Sequence, residues 1–196
     1  MDAKDLTTYL GLAAVYLLGV NVLLGLLMAA RYNPWKRWPH RRINLLKLHN
    51  WTAYVALGLA VLHPIPLLLV DKPKFRIVDI VYPVSSPQQP VVNTIGAITL
   101  YLLAFTVITS IYRAEIGRER WKTLHYLTYL IATLLVIHGA LTDQHLNNSP
   151  YDLFDAEKVG ILLCGVVILV ATIARFRWTT RHPKFRPKQR TVRLAE

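Results

Sequence analysis

Five long apolar runs limit what this chain can fold into: Tyr9–Ala30, Trp51–Val70, Ile95–Tyr112, Leu124–Leu141 and Val159–Ala174. About 20 residues at 1.5 Å rise cross the ~30 Å hydrocarbon layer of a bilayer, and each run has roughly that length. Inside lipid every backbone polar group must be satisfied within its own segment, so runs of this kind become helices. The expected fold is therefore all-α, an integral membrane bundle of five transmembrane helices. Composition agrees, with 54% hydrophobic and only 17% charged residues. The first run does not read as a cleaved leader. The preceding "MDAKD" is not basic, the apolar core is too long, and no small-residue cleavage site separates it from "RYNPW".

The net charge of +12 would suggest nucleic acid on a soluble chain. Its placement gives another account. Of 23 Lys and Arg residues, 18 lie in the Arg31–Leu48 and Arg113–Thr123 connections and the tail from Arg175. The N-terminus, Asp71–Thr94 and Thr142–Lys158 hold the other five, together with eight of the eleven acidic residues. The positive-inside rule then puts the N-terminus outside and the C-terminus in the cytoplasm, and the odd number of spans agrees with termini on opposite sides. Topology and anionic membrane lipid explain the charge, and no nucleic acid is expected. The single cysteine, Cys164, excludes an intramolecular disulfide, a Cys-rich zinc site and a C-x-x-C-H haem attachment.

Four of the seven histidines form a pattern. His49 and His63 bracket the second run, fourteen residues apart, and His125 and His138 bracket the fourth, thirteen apart. Both helices run from cytoplasm to outside in the topology above. His49 and His125 therefore share an inner level, and His63 and His138 an outer one. One imidazole near a helix end can simply brace a neighbour. Four at paired depths point to function, because polar groups in a bilayer are costly. Imidazole is a good ligand for haem iron. Facing pairs would make two six-coordinate sites about 20 Å apart along the helices. Fourteen residues at about 100° return to within ~40° of the starting face, so His49 and His63 point to one neighbour. Thirteen residues give ~220°, which an ideal helix cannot reconcile with a shared face. Either the fourth helix is tightened or kinked, or its two histidines serve sites on different sides. Pro64, directly after His63, removes a helical hydrogen bond and is expected to bend the second helix there.

With His49…His63 and His125…His138 in view, the chain resembles the ferric reductase-like transmembrane domain of ferric reductases and NADPH oxidases. The segments "RRINLLKLHNWTAY" and "GRERWKTLHYLTYLIATLLVIHG" carry the likeness, which covers roughly Arg31 to Arg175. The resemblance implies two non-covalent b-type haems, with His49 and His125 as inner and His63 and His138 as outer iron ligands. It divides the chain into a first transmembrane helix (1–30), a di-haem core (31–175) and a basic cytoplasmic tail (176–196). The family's common core has six helices and is usually followed by flavin and nicotinamide domains. This sequence has five apolar runs, no G-x-G-x-x-G and no P-loop. The expected function is a membrane b-type cytochrome that takes electrons from a separate flavoprotein. It would pass them to an acceptor outside: ferric iron, oxygen or a periplasmic protein. In architecture this is similar to the haem subunit of the bacterial periplasmic methionine sulfoxide reductase system, which suggests a bacterial inner membrane. The alternatives are a quinol-linked cytochrome b subunit and a haem-free protein with metal-binding or structural histidines.

Haem propionates would need cations. Arg42, Arg113 and Arg120 are the inner candidates, and Lys72, Lys74 and Arg76 the outer ones. Trp51, Trp121, Tyr126 and Tyr129 lie near the inner histidines, where an interfacial aromatic belt is also expected. Gly58, Ala60, Gly96, Gly139 and Gly160 would make room for a porphyrin or for ordinary helix packing.

Overall fold

The structure is a computed structural model, and it describes residues 2–32, 44–143 and 156–181. Five helical segments are long and apolar enough to cross a membrane: Ala3–Ala29, Leu45–Leu69, Pro90–Ile111, Arg118–Leu141 and Ala156–Trp178. The described residues contain no strand. The all-α expectation holds, and each apolar run falls within or largely within one of these segments.

Helix α1 (Ala3–Ala29) begins at a capping box in which Asp2 and Asp5 satisfy each other's backbone N–H groups. Helix α2 (Leu45–Leu62) begins at Asn44, whose side chain accepts from the Lys47 N–H at 3.1 Å. It ends at His63 because Pro64 has no N–H to continue the ladder. The chain tightens there into a 3₁₀ turn over Ile65–Leu69, so the second span stops and narrows at Pro64 instead of bending through it. The short helix α3 (Ile77–Val81) precedes α4 (Pro90–Ile111), whose first residue is the proline that suits a helix start. Gln89, just before it, has φ 48°. Its amide clamps the end of the fourth span, accepting from the Asp143 N–H at 2.6 Å and donating to the Asp143 carbonyl at 2.8 Å. Two such bonds offset the cost of a left-handed backbone at a non-glycine residue.

The fourth span is broken. After the single turn α5 (Arg113–Ile116), helix α6 (Arg118–His125) stops at Tyr126, and α7 (Leu127–Leu141) begins at the next residue. Across the break the chain makes shortened bonds, Tyr126 N–H to Thr123 carbonyl and Tyr129 N–H to Tyr126 carbonyl. The His125 carbonyl is taken by the Thr128 hydroxyl at 2.8 Å. Of the two possibilities raised by the thirteen-residue spacing, a local distortion is the one found.

Helix α1 packs most extensively on α2, and α4 on α7, while α8 (Ala156–Arg181) lies against α1 and α7. The centre of the bundle is a layer of Leu18, Ala56, Leu103, Val107 and Ile131, with Ala56 fully buried. Three of these continue a seven-residue period. Ala56 lies seven residues from both His49 and His63, Leu18 seven from Gly11 and Gly25, and Leu103 seven from Gly96 and Ser110. An apolar layer thus separates two polar levels.

Candidate functional site: two histidine pairs within the bundle

The four histidines meet as two pairs, one at each level. At the Lys- and Arg-rich end, the His49 and His125 ring centres lie 6.3 Å apart with planes at 67°. At the far end, His63 and His138 lie 6.4 Å apart at 82°. The break at Tyr126 is what brings both histidines of the fourth span to one face. In an unbroken helix of this spacing they would diverge.

Three of the four rings are held in the same way. His49 Nδ1 lies 3.0 Å from the Asn21 carbonyl, His63 Nδ1 2.8 Å from the Thr7 carbonyl, and His138 Nδ1 2.9 Å from the Val92 carbonyl. A carbonyl can only accept, so Nδ1 carries the hydrogen in each ring and Nε2 keeps its lone pair. Hydrogen-bonding the far nitrogen in this manner is how proteins orient a histidine that ligates through the other. A Cβ on Gly11 would lie 2.8 Å from His63 Nδ1, and one on Gly96 2.6 Å from His138 Cε1. These two imidazoles therefore occupy space that any other residue would fill. At Gly25 the corresponding distance to His49 is an ordinary 3.4 Å. His125 differs: Trp121 stacks on it at 5.0 Å, and its Nδ1 is 3.4 Å from the Ser110 hydroxyl.

Asn21 joins α1 to the start of α2. Its side-chain amide donates to the His49 carbonyl at 2.5 Å and to the Thr52 hydroxyl at 2.8 Å, while its own carbonyl receives the His49 ring. Sequence reasoning missed this residue and the glycines at 11 and 25. The available signal was an asparagine standing alone in the apolar run of α1.

Each pair opens into a cavity. The one at the far end measures about 180 Å³ and is walled by α1, α2, α4 and α7. Its polar lining includes Lys4, Asp79, Gln89 and Asn93. Asp79 is bound by Arg76 through two 3.2 Å contacts, and the guanidinium holds its carboxyl below the usual carboxylate range. The cavity at the basic end is of the same size, about 180 Å³, and is lined by Lys122, Arg175, Tyr126 and Tyr129 beside the histidines. Arg175 donates to the Tyr129 hydroxyl at 2.7 Å.

Several expectations about supporting residues are corrected here. Arg113 and Arg120 do not line the cavity at the basic end, where Lys122 and Arg175 stand instead. Lys72, Lys74 and Arg76 do not line the far one, which Lys4 does. Lys4, Lys122 and Arg175 face the cavities from α1, α6 and α8, whereas Lys72, Lys74 and Arg76 lie in the connection after His63. Gly160 packs on the Tyr16 hydroxyl and serves helix contact, while Gly139 both packs on Ile161 and lines the far cavity. Gly96 lies under His138, Ala60 lines the far cavity, and a Cβ on Gly58 would meet no described atom within 4 Å. Trp121 does more than an interfacial residue would, whereas Trp51 is exposed. Arg42, His40, His145, His182 and the tail beyond Arg181 lie outside the described residues.

The arrangement suits an atom bound between the two rings of a pair. Two metal–nitrogen bonds of about 2 Å, plus about 1.2 Å from each nitrogen to its ring centre, span roughly 6.4 Å. Among the described residues no group of three or more His, Cys, Asp or Glu residues converges as metal ligands.

Two proteins, each described as magnetosome protein MamZ, are 45% identical to the chain over 49 residues. One is from Magnetospirillum gryphiswaldense and the other from Paramagnetospirillum magneticum. That stretch is 25% of this chain and spans only 7 and 8% of those relatives' lengths. No solved structure matches. The sequence model described as "Ferric reductase like transmembrane component" matches residues 10–136, which take in His49, His63 and His125 and stop two residues short of His138. The chain belongs to the ferric reductase-like transmembrane family, a family of membrane redox and electron-transfer components.

Proposed function

We propose that the chain is a di-haem b-type cytochrome that carries single electrons across a membrane, with His49 and His125 ligating one haem and His63 and His138 the other. The observation that carries this reading is the spacing of the two ring pairs, with Nδ1 engaged behind three of the four rings. A bare ion between two imidazoles would lack the further protein ligands that it needs. A porphyrin supplies four nitrogens and asks the protein for two. Cavities open beside both pairs, and Lys122, Arg175 and Lys4 on their walls carry charge suited to its carboxylates.

When bound, haem iron supplies the one-electron chemistry. The chain's own residues do the rest. Thr7, Asn21 and Val92 fix the ring orientations through Nδ1–H. The layer around Ala56 keeps water from the space between the levels. In the proposed orientation, electrons arrive at the basic, cytoplasmic end from a separate flavoprotein. They leave at His63 and His138 for an acceptor outside, such as ferric iron, oxygen or a periplasmic protein.

The test is haem content and identity. Purified protein is expected to show a Soret band, a b-type pyridine haemochrome and two haems per chain. The crossed ring planes predict low-spin ferric signals with large gmax in electron paramagnetic resonance. His49→Ala and His125→Ala should each abolish the same one of the two haems. A complete two-haem spectrum in either variant would refute the pairing, and a colourless wild-type protein would leave a haem-free bundle.

A further inference from the structure

The contacts behind the four imidazoles follow one rule with one exception. Thr7, Asn21 and Val92 each offer a carbonyl to a ring, and the residue four positions on is in every case a glycine beside that ring: Gly11, Gly25 and Gly96. Four residues make about one helical turn, so the carbonyl of the first residue and the Cα of the last share a face. At Gly11 and Gly96 the missing Cβ opens the notch through which the imidazole reaches the carbonyl, and at Gly25 a Cβ would just touch the ring at 3.4 Å. The two notches on α1 are fourteen residues apart, as are His49 and His63 on the helix they face.

Carried fourteen residues along α4 from Val92 and Gly96, the rule arrives at Thr106 and Ser110. The ring at that position is His125, and the notch is filled. The Ser110 hydroxyl donates to the Thr106 carbonyl at 2.7 Å. The same oxygen accepts from Trp121 Nε1 at 3.2 Å and lies 3.4 Å from His125 Nδ1. A hydroxyl has one hydrogen and two lone pairs, so these three contacts exhaust it. His125 shares a neutral hydroxyl at long range, where each of the other three rings meets a backbone carbonyl at 2.8–3.0 Å.

We propose that Ser110 is a positioning residue that makes His125 the weakest-held of the four imidazoles and so sets apart the two sites of an otherwise repeated frame. The proposal rests on the haem reading. A strong hydrogen bond at the far nitrogen makes an imidazole a better electron donor to its metal. A weak one favours the reduced iron and holds the potential of the His49–His125 haem higher than a carbonyl would.

The experiment is a spectroelectrochemical titration of the purified full chain, with electron paramagnetic resonance alongside. Ser110→Gly reopens the notch and removes the nearer of the two hydroxyls on the Thr106 carbonyl, leaving that of Thr109 at 3.1 Å. His125 then gains access to the carbonyl, and one haem's midpoint should shift negative while the other stays in place. Ser110→Ala keeps the Cβ, removes the acceptor, and should shift the same haem positive. The gmax of that haem alone should move in both variants. A purely structural role for Ser110 would not produce shifts of opposite sign. If Ser110→Ala fails to retain the haem, the Ser110→Gly shift decides alone. Two bound haems with unmoved potentials in Ser110→Gly would overturn the proposal and leave the haem reading intact. A wild-type protein without haem would remove the reading itself.

Discussion

At Gly96 and Gly11 an imidazole stands where a methyl group would be. A Cβ there would meet its histidine at 2.6 and 2.8 Å, so Gly96→Ala and Gly11→Ala must displace His138 and His63 respectively. Overpacking of this kind costs about 1–3 kcal/mol, whereas alanine in a helix is otherwise favoured by about 1 kcal/mol over glycine. Both variants are expected to lose the haem at the far end in a haem-per-chain assay. Gly25→Ala, with 3.4 Å to His49, is expected to keep both. Equal losses in all three would show that the glycines matter for something other than these rings. The histidines were legible because imidazoles are rare in apolar runs and their spacing can be checked against helical rotation. The residues behind them were not. Thr7, Asn21 and Val92 contribute through backbone carbonyls, which any residue type carries. Their glycines look like ordinary packing glycines until the facing ring is known.

The fourth span shows what periodicity can and cannot say about an element. The thirteen-residue spacing was incompatible with one straight helix and one shared face, so a distortion could be inferred as one of two outcomes. Its position could not, because no glycine or proline lies between Arg118 and His138. The break sits at Tyr126, and Thr128 takes up the His125 carbonyl that the interrupted ladder leaves at the break. Thr128→Val removes that hydroxyl and is expected to cost about 1–3 kcal/mol, the penalty for an unsatisfied buried acceptor. Thermal release of the haem at the basic end, followed by its Soret band, should fall to lower temperature while the other haem is less affected. Asn21 acts between elements. Asn21→Leu removes two hydrogen bonds from α1 to α2, and interhelical bonds in membranes are worth about 0.6–2 kcal/mol each. The variant is expected to unfold at a lower denaturant concentration with its histidine pairs unchanged.

The number of spans and their alternation were readable for the whole molecule because a bilayer imposes a length on every crossing. The Lys and Arg bias predicts an orientation that can be tested directly. In a Cys164→Ala background, Lys72→Cys should react with a membrane-impermeant maleimide from outside intact cells, and Arg118→Cys only after the membrane is opened. The reverse pattern would invert the bundle and the direction proposed for electrons. The layer of Leu18, Ala56, Leu103 and Ile131 has one more consequence. With a haem at each histidine pair as proposed, an electron would cross about 20 Å of a ~30 Å insulator through this apolar layer, which is roughly two-thirds of the voltage drop. One elementary charge falling through 100 mV changes free energy by about 2.3 kcal/mol, so this hop responds by about 1.5 kcal/mol. With the cytoplasm negative, that field pushes electrons outward. Under the proposed di-haem reading, transfer would therefore be electrogenic: an energised membrane should speed export, and its collapse should slow it.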